Sequence, residues 1–255
     1  MNKFYLINII LFLLISSGFV YAQAQNKKFE QPKTRKNEQV ICHKAYCFVY
    51  SEDHEQAKWV AYKLTSDMLE KNVKRNNKFK KDPNVITETA NNSDYKGSGY
   101  DKGHLAPAAD MCYSKITMEE SFYFSNISPQ KPSFNRGIWK SLEKESRTYA
   151  EKLQTIYIVT GPILEDNLPE IGNNNIDIPK QYYKAILYIS DTCIEAISFV
   201  LPNEKIDSKK LYQYAISIND LEKLSKLNLF YKLPFLIERK TEKNINIQFW
   251  QNLSP

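Results

Sequence analysis

The sequence has little of several residue types from which common sites are built. Its 255 residues include three histidines, four cysteines and seven glycines. No Cys-x-x-Cys or His-x-x-x-His spacing occurs, which argues against a zinc site. No internal repeat and no second-domain linker divides the chain. Predicted strands and helices do not alternate regularly, so the pattern favours an α+β fold over a doubly wound sheet.

A long apolar run lies near the N-terminus, from Phe4 to Val20, after the basic start Met1-Asn2-Lys3. Small residues at Ala22 and Ala24 follow it with the spacing of a signal-peptidase site. We therefore expect residues 1–24 to be a secretory signal peptide. The mature protein would then be secreted or periplasmic, with no stable membrane association after cleavage. An uncleaved anchor is the alternative. The cleavage site has no cysteine, so the sequence gives no sign of a lipid anchor.

The remaining chain of about 230 residues can form one large core. Residues 25–40 are polar and are expected to be a flexible leader, and residues 41–255 a single α+β domain with a central antiparallel sheet flanked by helices. The formal net charge of +6 is compatible with a polyanionic partner. The even number of cysteines permits two disulfides in an exported protein, and Cys42–Cys47 is one conceivable pair. The sequence leaves the pairing and the oligomeric state open.

Hydrophobic periodicity and turn residues predict a modest number of elements. The predicted strands are Ile41–Tyr50 (or a hairpin), Trp59–Leu64, Ile156–Thr160, Tyr182–Ser190 and Cys193–Leu201. The predicted helices are Thr117–Phe124 (or a turn), Asn135–Leu153 and a segment within Leu211–Leu227 capped by Ser217 or Asn219. Residues 91–99 are expected to be a loop, and the basic run Lys71–Lys81 a solvated face that also attracts nucleic acid.

The segment Tyr95–Pro107 reads YKGSGYDKGHLAP and carries His104, Asp101, Lys102 and three glycines. Histidine is a natural general base near neutral pH, and glycines allow tight turns and a close substrate approach. A structural role is the alternative for a single histidine in a glycine-rich loop. His43 and His54 lack such a setting, and we assign them structural roles.

A second motif lies in the predicted helix Asn135–Leu153. Asn135, Trp139, Glu143 and Arg147 recur every four residues and would share one helical face. An amide, a carboxylate and a guanidinium on one face form an unusual set for a core helix. The alternative is a solvated face that carries an ordinary Glu143–Arg147 pair.

Together these motifs resemble the DNA/RNA non-specific endonucleases with a ββα-metal site. The Asp-Lys-Gly-His segment is similar to the family signature Asp-Arg-Gly-His, and the four helical residues match the family spacing. Further segments resemble the family in the same order: Arg75 before Phe79 and Asp82-Pro83, Ser125-Asn126, Pro129-Gln130, Thr160–Ile163, Ile178-Pro179 and Phe199–Asn203. The resemblance covers about Trp59 to Leu233.

The resemblance implies a metal-dependent endonuclease that cuts DNA and RNA with little sequence preference and leaves 5′-phosphate and 3′-hydroxyl ends. It implies that Asn135 binds Mg²⁺ or Mn²⁺ directly and that Glu143 acts through a water. His104 would be the general base, at the end of a β element, with Asn135 at the start of the crossing helix. A separate inhibitor protein is expected if the enzyme is ever active inside the cell.

The remaining candidates have supporting roles. Arg75 and Arg147 are candidates for phosphate contact or charge stabilisation. Asp101 is a candidate for supporting the loop, and Asn126 and Gln130 for organising the site through hydrogen bonds. Lys102, a candidate phosphate contact, replaces the usual arginine and gives less geometric control than a guanidinium. This substitution keeps open a nucleic-acid-binding protein with a decayed site. A phosphodiesterase of the same fold, acting on another phosphate ester, is the third alternative.

Overall fold

The computed structural model describes residues 27–254, so the predicted signal peptide and its cleavage site lie outside the described residues. The strands are β1 Val40–Cys42, β2 Cys47–Ser51, β3 Gln56–Thr65, β4 Asp101–His104, β5 Ile127–Gln130, β6 Thr155–Pro162, β7 Glu170–Ile171, β8 Ile176–Asp177, β9 Gln181–Ile189, β10 Ile194–Pro202 and β11 Ala215–Ile216. The helices are α1 Asn92–Tyr95, α2 Lys115–Glu120, α3 Pro132–Phe134, α4 Lys140–Leu153, α5 Ile218–Ser225, α6 Phe235–Lys243 and α7 Ile247–Leu253. Among these residues, no helix is both long and apolar enough to cross a membrane.

The central sheet has seven strands in the order β1-β2-β3-β6-β9-β10-β11. Every neighbouring pair is antiparallel. The α+β class with a central antiparallel sheet is therefore confirmed. β4 and β5 form a separate antiparallel pair outside this sheet, and β7 and β8 form another.

Both faces of the central sheet are covered because its middle strands carry apolar side chains on both sides. Val60 and Tyr62 of β3 pack into one core with Trp139 and residues of α4. Trp59 and Ala61, which alternate with them, pack into a second core with residues of α5. The first core supports the site, because Trp139 lies between the helix and the sheet.

The predicted strands and the helix capped by Ser217 occur where the sequence placed them. The Ile41–Tyr50 prediction is a hairpin, and the disulfide Cys42–Cys47 joins β1 to β2. Cys112 and Cys193 are free, so the described residues contain one disulfide. The expected loop at residues 91–99 contains the short helix α1, because the side chain of Asn91 caps its first turn.

The N-terminal segment packs on the sheet instead of forming a flexible leader. Phe29 is fully buried, and its ring meets that of Tyr157 edge-on, with centroids 5.6 Å apart. The backbone N–H of Lys33 donates to the carbonyl of Asn228 over 2.9 Å. The buried ring contributes about 1.5–3 kcal/mol of hydrophobic free energy, and polar contacts such as the Glu38–Lys58 ion pair also hold this segment in place.

Candidate active site

The antiparallel pair of strands β4 and β5 sets the geometry of the first motif. Its register pairs Asp101 with Gln130, Gly103 with Ser128 and His104 with Ile127. His104 therefore lies at the end of a β element, as the resemblance implied. The two sequence segments that seemed separate, residues 101–104 and 127–130, are hydrogen-bonded neighbours.

Gly103 is required because Gln130 crosses directly over it. An added Cβ at this position would lie 2.2 Å from Cδ and 2.5 Å from Cγ of Gln130. Gln130 is fully buried, and neither Nε2 nor Oε1 of its side chain has a hydrogen-bond partner among residues 27–254. A residue with a side chain at position 103 would therefore have to displace the side chain of Gln130 within the core.

Gly103→Ala is expected to lower the free energy of unfolding by about 1–3 kcal/mol, the usual cost of overpacking a core. Urea denaturation gives the change directly. The matched test is a double-mutant cycle with Gln130→Ala, which removes the clashing Cγ and Cδ. The double variant should recover part of the loss, whereas strictly additive effects would contradict the proposed clash.

Asn126 fixes the chain that follows His104. Its Oδ1 accepts from the N–H of Ala106 over 2.8 Å, and its Nδ2 donates to the carbonyls of Ala106 and Ser121, each over 2.9 Å. The side chain is fully buried. Asn126 therefore fixes the backbone between Ala106 and Ser121, next to His104.

His104 is held in an aromatic setting. Its ring meets Phe122 edge-on with centroids 4.9 Å apart and lies 5.6 Å from the ring of Phe79. Its carbonyl accepts from Trp139 Nε1 over 3.2 Å. Among residues 27–254, no group is hydrogen-bonded to its buried Nε2. Burial, helped by the charge of Arg75, lowers the pKa of His104 to about 3, so the ring is neutral at working pH.

Asn135 and Asp101 meet across the site. Asn135 Nδ2 donates to Asp101 Oδ2 over 2.9 Å, which leaves the amide Oδ1 as an acceptor. Arg136 donates to both carboxylate oxygens of Asp101, from Nε over 2.8 Å and from Nη2 over 2.6 Å. Burial opposes ionisation of Asp101, but these bonds hold its pKa below the ordinary value. Both oxygens of Asp101 thus accept hydrogen bonds, and one of these bonds fixes the side-chain amide of Asn135.

The predicted helix Asn135–Leu153 is interrupted where it meets the site. Residues 135–139 form a wide π-type turn, with Gly137 outside helical geometry at φ −102° and ψ −113°. Asn135 is thus not on one regular helix with Glu143 and Arg147, and the four-residue face predicted from the sequence begins only at Trp139. Such turns within helices are frequent at functional sites because they re-aim a side chain.

Arg147 is paired with a buried carboxylate. Its Nη1 donates to Asp110 Oδ1 over 2.9 Å, and the hydroxyl of Tyr62 donates to Asp110 Oδ2 over 2.8 Å. Asp110 is 1% exposed and the Arg147 side chain 25% exposed. The anion that Arg147 contacts in this structure is the protein's own Asp110, and contact of Arg147 with a substrate phosphate stays a prediction.

Glu143 lies in the same polar cluster, together with the buried Lys184. Burial raises the pKa of Glu143 and lowers that of Lys184, while the attraction between the two opposes both shifts. Lys184 Nζ lies 5.0 Å from the ring centroid of Trp139 and has no hydrogen-bond partner among residues 27–254. A lone lysine within the apolar strand Tyr182–Ile189 was the sequence signal that could have identified this residue.

Arg75 and Lys102 reach the aromatic wall beside His104. The guanidinium of Arg75 lies 5.0 Å from the ring centroid of Phe122, and its Nε donates to Asn77 over 2.6 Å. Lys102 Nζ lies 4.1 Å from the ring centroid of Phe79 and donates to Asn92 Oδ1 over 2.7 Å. The structure thus places both cations on rings that touch His104. Sequence reasoning had assigned no role to Phe122.

The donor set fits a mostly hydrated Mg²⁺ or Mn²⁺. Asn135 offers a neutral amide oxygen, and Glu143 a carboxylate farther along the chain. Among residues 27–254, no three His, Cys, Asp or Glu side chains converge into a dedicated metal cage. Mg²⁺ retains several waters and is commonly held by few protein oxygens, so one direct ligand is chemically sufficient.

Comparison with known proteins places this arrangement in a family. The profile described as "DNA/RNA non-specific endonuclease" matches residues 24–235. Nuclease C1 of Cunninghamella echinulata var. echinulata is 36% identical over 208 residues, which cover 74% of this chain and 81% of that protein. Human mitochondrial Endonuclease G is 32% identical over 206 residues, which cover 74% of this chain and 68% of that protein.

Other relatives are longer. Human mitochondrial Nuclease EXOG is 34% identical over 224 residues, and the match spans 80% of this chain but 59% of that protein. The zebrafish (Danio rerio) form is matched over 57% of its length. Among solved structures, the EndoG/EndoGI complex contains a chain with a TM-score of 0.77 and 28% identity, covering 88% of this chain and 96% of that chain.

Proposed function

Since this chain belongs to the DNA/RNA non-specific endonuclease family, we propose that it is an exported, metal-dependent endonuclease that hydrolyses DNA and RNA without strong sequence preference. The observation that carries the proposal is the buried, neutral His104, whose Nε2 has no hydrogen-bond partner within residues 27–254 and which lies beside the aromatic rings that hold Arg75 and Lys102. The unprotonated Nε2 can accept a proton from water, and cations beside it attract an anionic ester; the lowered pKa of His104 makes the isolated imidazole a weaker base than a free histidine. The side chains assembled here offer charge and metal-binding oxygens, which address phosphate and not base edges.

In the proposed reaction, His104 Nε2 accepts a proton as water attacks phosphorus. The water oxygen bonds to phosphorus as the bond between phosphorus and the 3′ oxygen breaks, and the 3′ oxygen takes up a proton from solvent, which leaves a 5′-phosphate and a 3′-hydroxyl. Arg75 and Lys102 provide positive charge for the phosphate, and Asp101 holds Asn135 in place. Asn135 Oδ1 would bind Mg²⁺ or Mn²⁺ directly, with Glu143 acting through a water. When bound, the cation stabilises negative charge on the phosphate and the leaving oxygen.

The proposal is tested with the mature protein, supercoiled plasmid and RNA, in Mg²⁺ and in EDTA. We expect cleavage of both substrates, loss of cleavage in EDTA and recovery when Mg²⁺ is restored, because the transition-state charge needs the cation. DNA binding at low salt without cleavage would favour the decayed-site alternative. Neither binding nor cleavage would favour another phosphate ester as the substrate.

Export and partners complete the proposal. The apolar run Phe4–Val20 and the small residues at Ala22 and Ala24 support secretion or periplasmic location. N-terminal sequencing of protein recovered from culture medium and periplasm tests this, and a mature chain that begins near residue 25 is expected. The similar EndoG chain was solved in complex with EndoGI, which supports an inhibitor protein as a proposed partner.

A further inference from the structure

A groove lies beside the wall of the site, on the extended segment that carries Arg75 and Phe79. Its volume is about 420 Å³. Val73 and Met118 line it with apolar surface, and the lysines line it with charge: Lys74, Lys78, Lys80 and Lys115. We call this feature the lysine groove. Glu119 is the one acidic residue among those that line it.

The four lysines carry charge that the protein leaves unpaired. None has a carboxylate within 4.0 Å among residues 27–254. The adjacent Lys81, by contrast, is paired with Glu88. Like charges placed together repel, so an unpaired cluster at one concave surface is suited to an anionic ligand.

The backbone that bears these lysines is fixed to the rest of the site. The N–H of Val73 donates to the carbonyl of Cys112 over 2.9 Å, and that of Lys80 to the carbonyl of Phe122 over 3.1 Å. The N–H of Phe124 in turn donates to the carbonyl of Lys80 over 3.0 Å. The groove is therefore held in place relative to Phe122, the ring that packs on His104.

The segment of residues 73–80 thus contributes side chains both to the site and to the lysine groove. Arg75 and Phe79 contact the aromatic wall around His104, whereas Lys74, Lys78 and Lys80 line the groove. A polynucleotide whose scissile phosphate lies at His104 has further phosphates on both sides of it. The groove lysines on this segment, Lys74, Lys78 and Lys80, offer positive charge that can bind those further phosphates.

We propose that the lysine groove binds backbone phosphates of the polynucleotide beside the bond that is cut. This inference rests on the proposed function and assigns its substrate class: chains of several nucleotides are favoured over single-nucleotide phosphodiesters. The contact is electrostatic and independent of sequence, so it raises affinity for long DNA and RNA alike.

The test is the triple variant Lys74→Gln/Lys78→Gln/Lys115→Gln, which keeps Lys80 because its Nζ lies 4.9 Å from the ring centroid of Tyr123. The matched control is Lys33→Gln/Arg35→Gln/Lys226→Gln. These three cations line a different cavity of about 460 Å³ and likewise form no ion pair among residues 27–254. Both triples remove three charges, so they separate a local contact from net charge.

We expect the groove variant to raise KM for plasmid DNA about tenfold and to reduce the salt dependence of binding by roughly two to three in slope. Its kcat/KM for thymidine 5′-(p-nitrophenyl phosphate) should remain unchanged, and the control triple should change neither quantity appreciably. Equal effects of the two triples, or an unchanged KM in the groove variant, would overturn the proposal.

Fluorescence anisotropy with a long oligonucleotide in EDTA measures binding without cleavage. Weaker binding by the groove triple alone supports the lysine groove even if the wild type cuts neither substrate, a result that would refute only the proposed nuclease activity. Unchanged binding by the groove triple overturns the groove proposal independently of catalysis.

Discussion

His104→Ala is expected to lower kcat on plasmid DNA by about 10²- to 10⁴-fold, the usual contribution of a positioned general base. The reason is that His104 Nε2 is the proposed base, and no group in the described part of the chain is hydrogen-bonded to it. KM should change much less, because the cations that face the phosphate remain. Initial rates measured over a range of plasmid concentrations separate the two quantities.

The matched control for this variant is His54→Ala. His54 is hydrogen-bonded to Asp177 and lies in a different part of the fold. Thermal unfolding checks that both variants are folded. If His54→Ala lost as much activity as His104→Ala, or if His104→Ala retained wild-type kcat, His104 would not be the base.

The setting of His104 also defines the expected pH dependence of the rate. Its pKa is lowered to about 3, so the imidazole is already neutral at pH 5 and gains nothing as the pH rises through 6.5. We therefore expect the pH profile of kcat/KM to show no acid limb from His104 between pH 5 and pH 7. A base that titrates near its free pKa would instead indicate that His104 is exposed to solvent in the working enzyme.

The sequence predicted the parts of the site that are local. Strands β3, β6, β9 and β10 each carry a continuous or alternating apolar pattern, and their burial follows from it. His104 lies in a glycine-rich segment and Asn135 at the start of a predicted helix, and both positions belong to short motifs that can be identified in the sequence. The ordered resemblance then joined these motifs, although they are distant along the chain.

What the sequence did not predict depends on contacts between distant residues. Asp101 is bonded to Arg136, 35 positions away, and Arg147 to Asp110, 37 positions away. Neither ion pair produces a periodic pattern or a short motif by which it could be predicted from the sequence. The π-type turn at Gly137 was missed for a different reason, since its residues are compatible with a regular helix and tertiary packing selects the wider turn.

Phe29 illustrates the same limit. One aromatic residue in a polar segment carries almost no periodic signal, so composition predicted a flexible leader. In the fold the Phe29 ring packs against Tyr157 of strand β6, and the segment that carries Phe29 therefore lies on the sheet. Burial of Phe29, together with the backbone bond from Lys33 to Asn228 and the Glu38–Lys58 ion pair, therefore orders a segment whose composition is polar.

Asn135→Ala is expected to weaken the apparent affinity for Mg²⁺ at least about tenfold and to lower kcat by about 10²-fold, because the proposed site has one direct protein ligand. The rate measured against Mg²⁺ concentration gives both values, and calorimetric titration with Mn²⁺ measures binding without catalysis. Asn228→Ala, which alters an exposed asparagine elsewhere, is the matched control.

Asn135→Asp distinguishes metal binding from the hydrogen bond to Asp101. It supplies a carboxylate, which is a stronger metal ligand than an amide, but it places that carboxylate next to the carboxylate of Asp101. The wild-type amide donates to Asp101 Oδ2 over 2.9 Å, and an aspartate there would place two carboxylates together. We therefore expect it to fall well short of wild-type activity, although a carboxylate binds Mg²⁺ well. Unaltered Mg²⁺ dependence in both variants would exclude Asn135 as the ligand, whereas full activity of Asn135→Asp would show that the bond to Asp101 is dispensable.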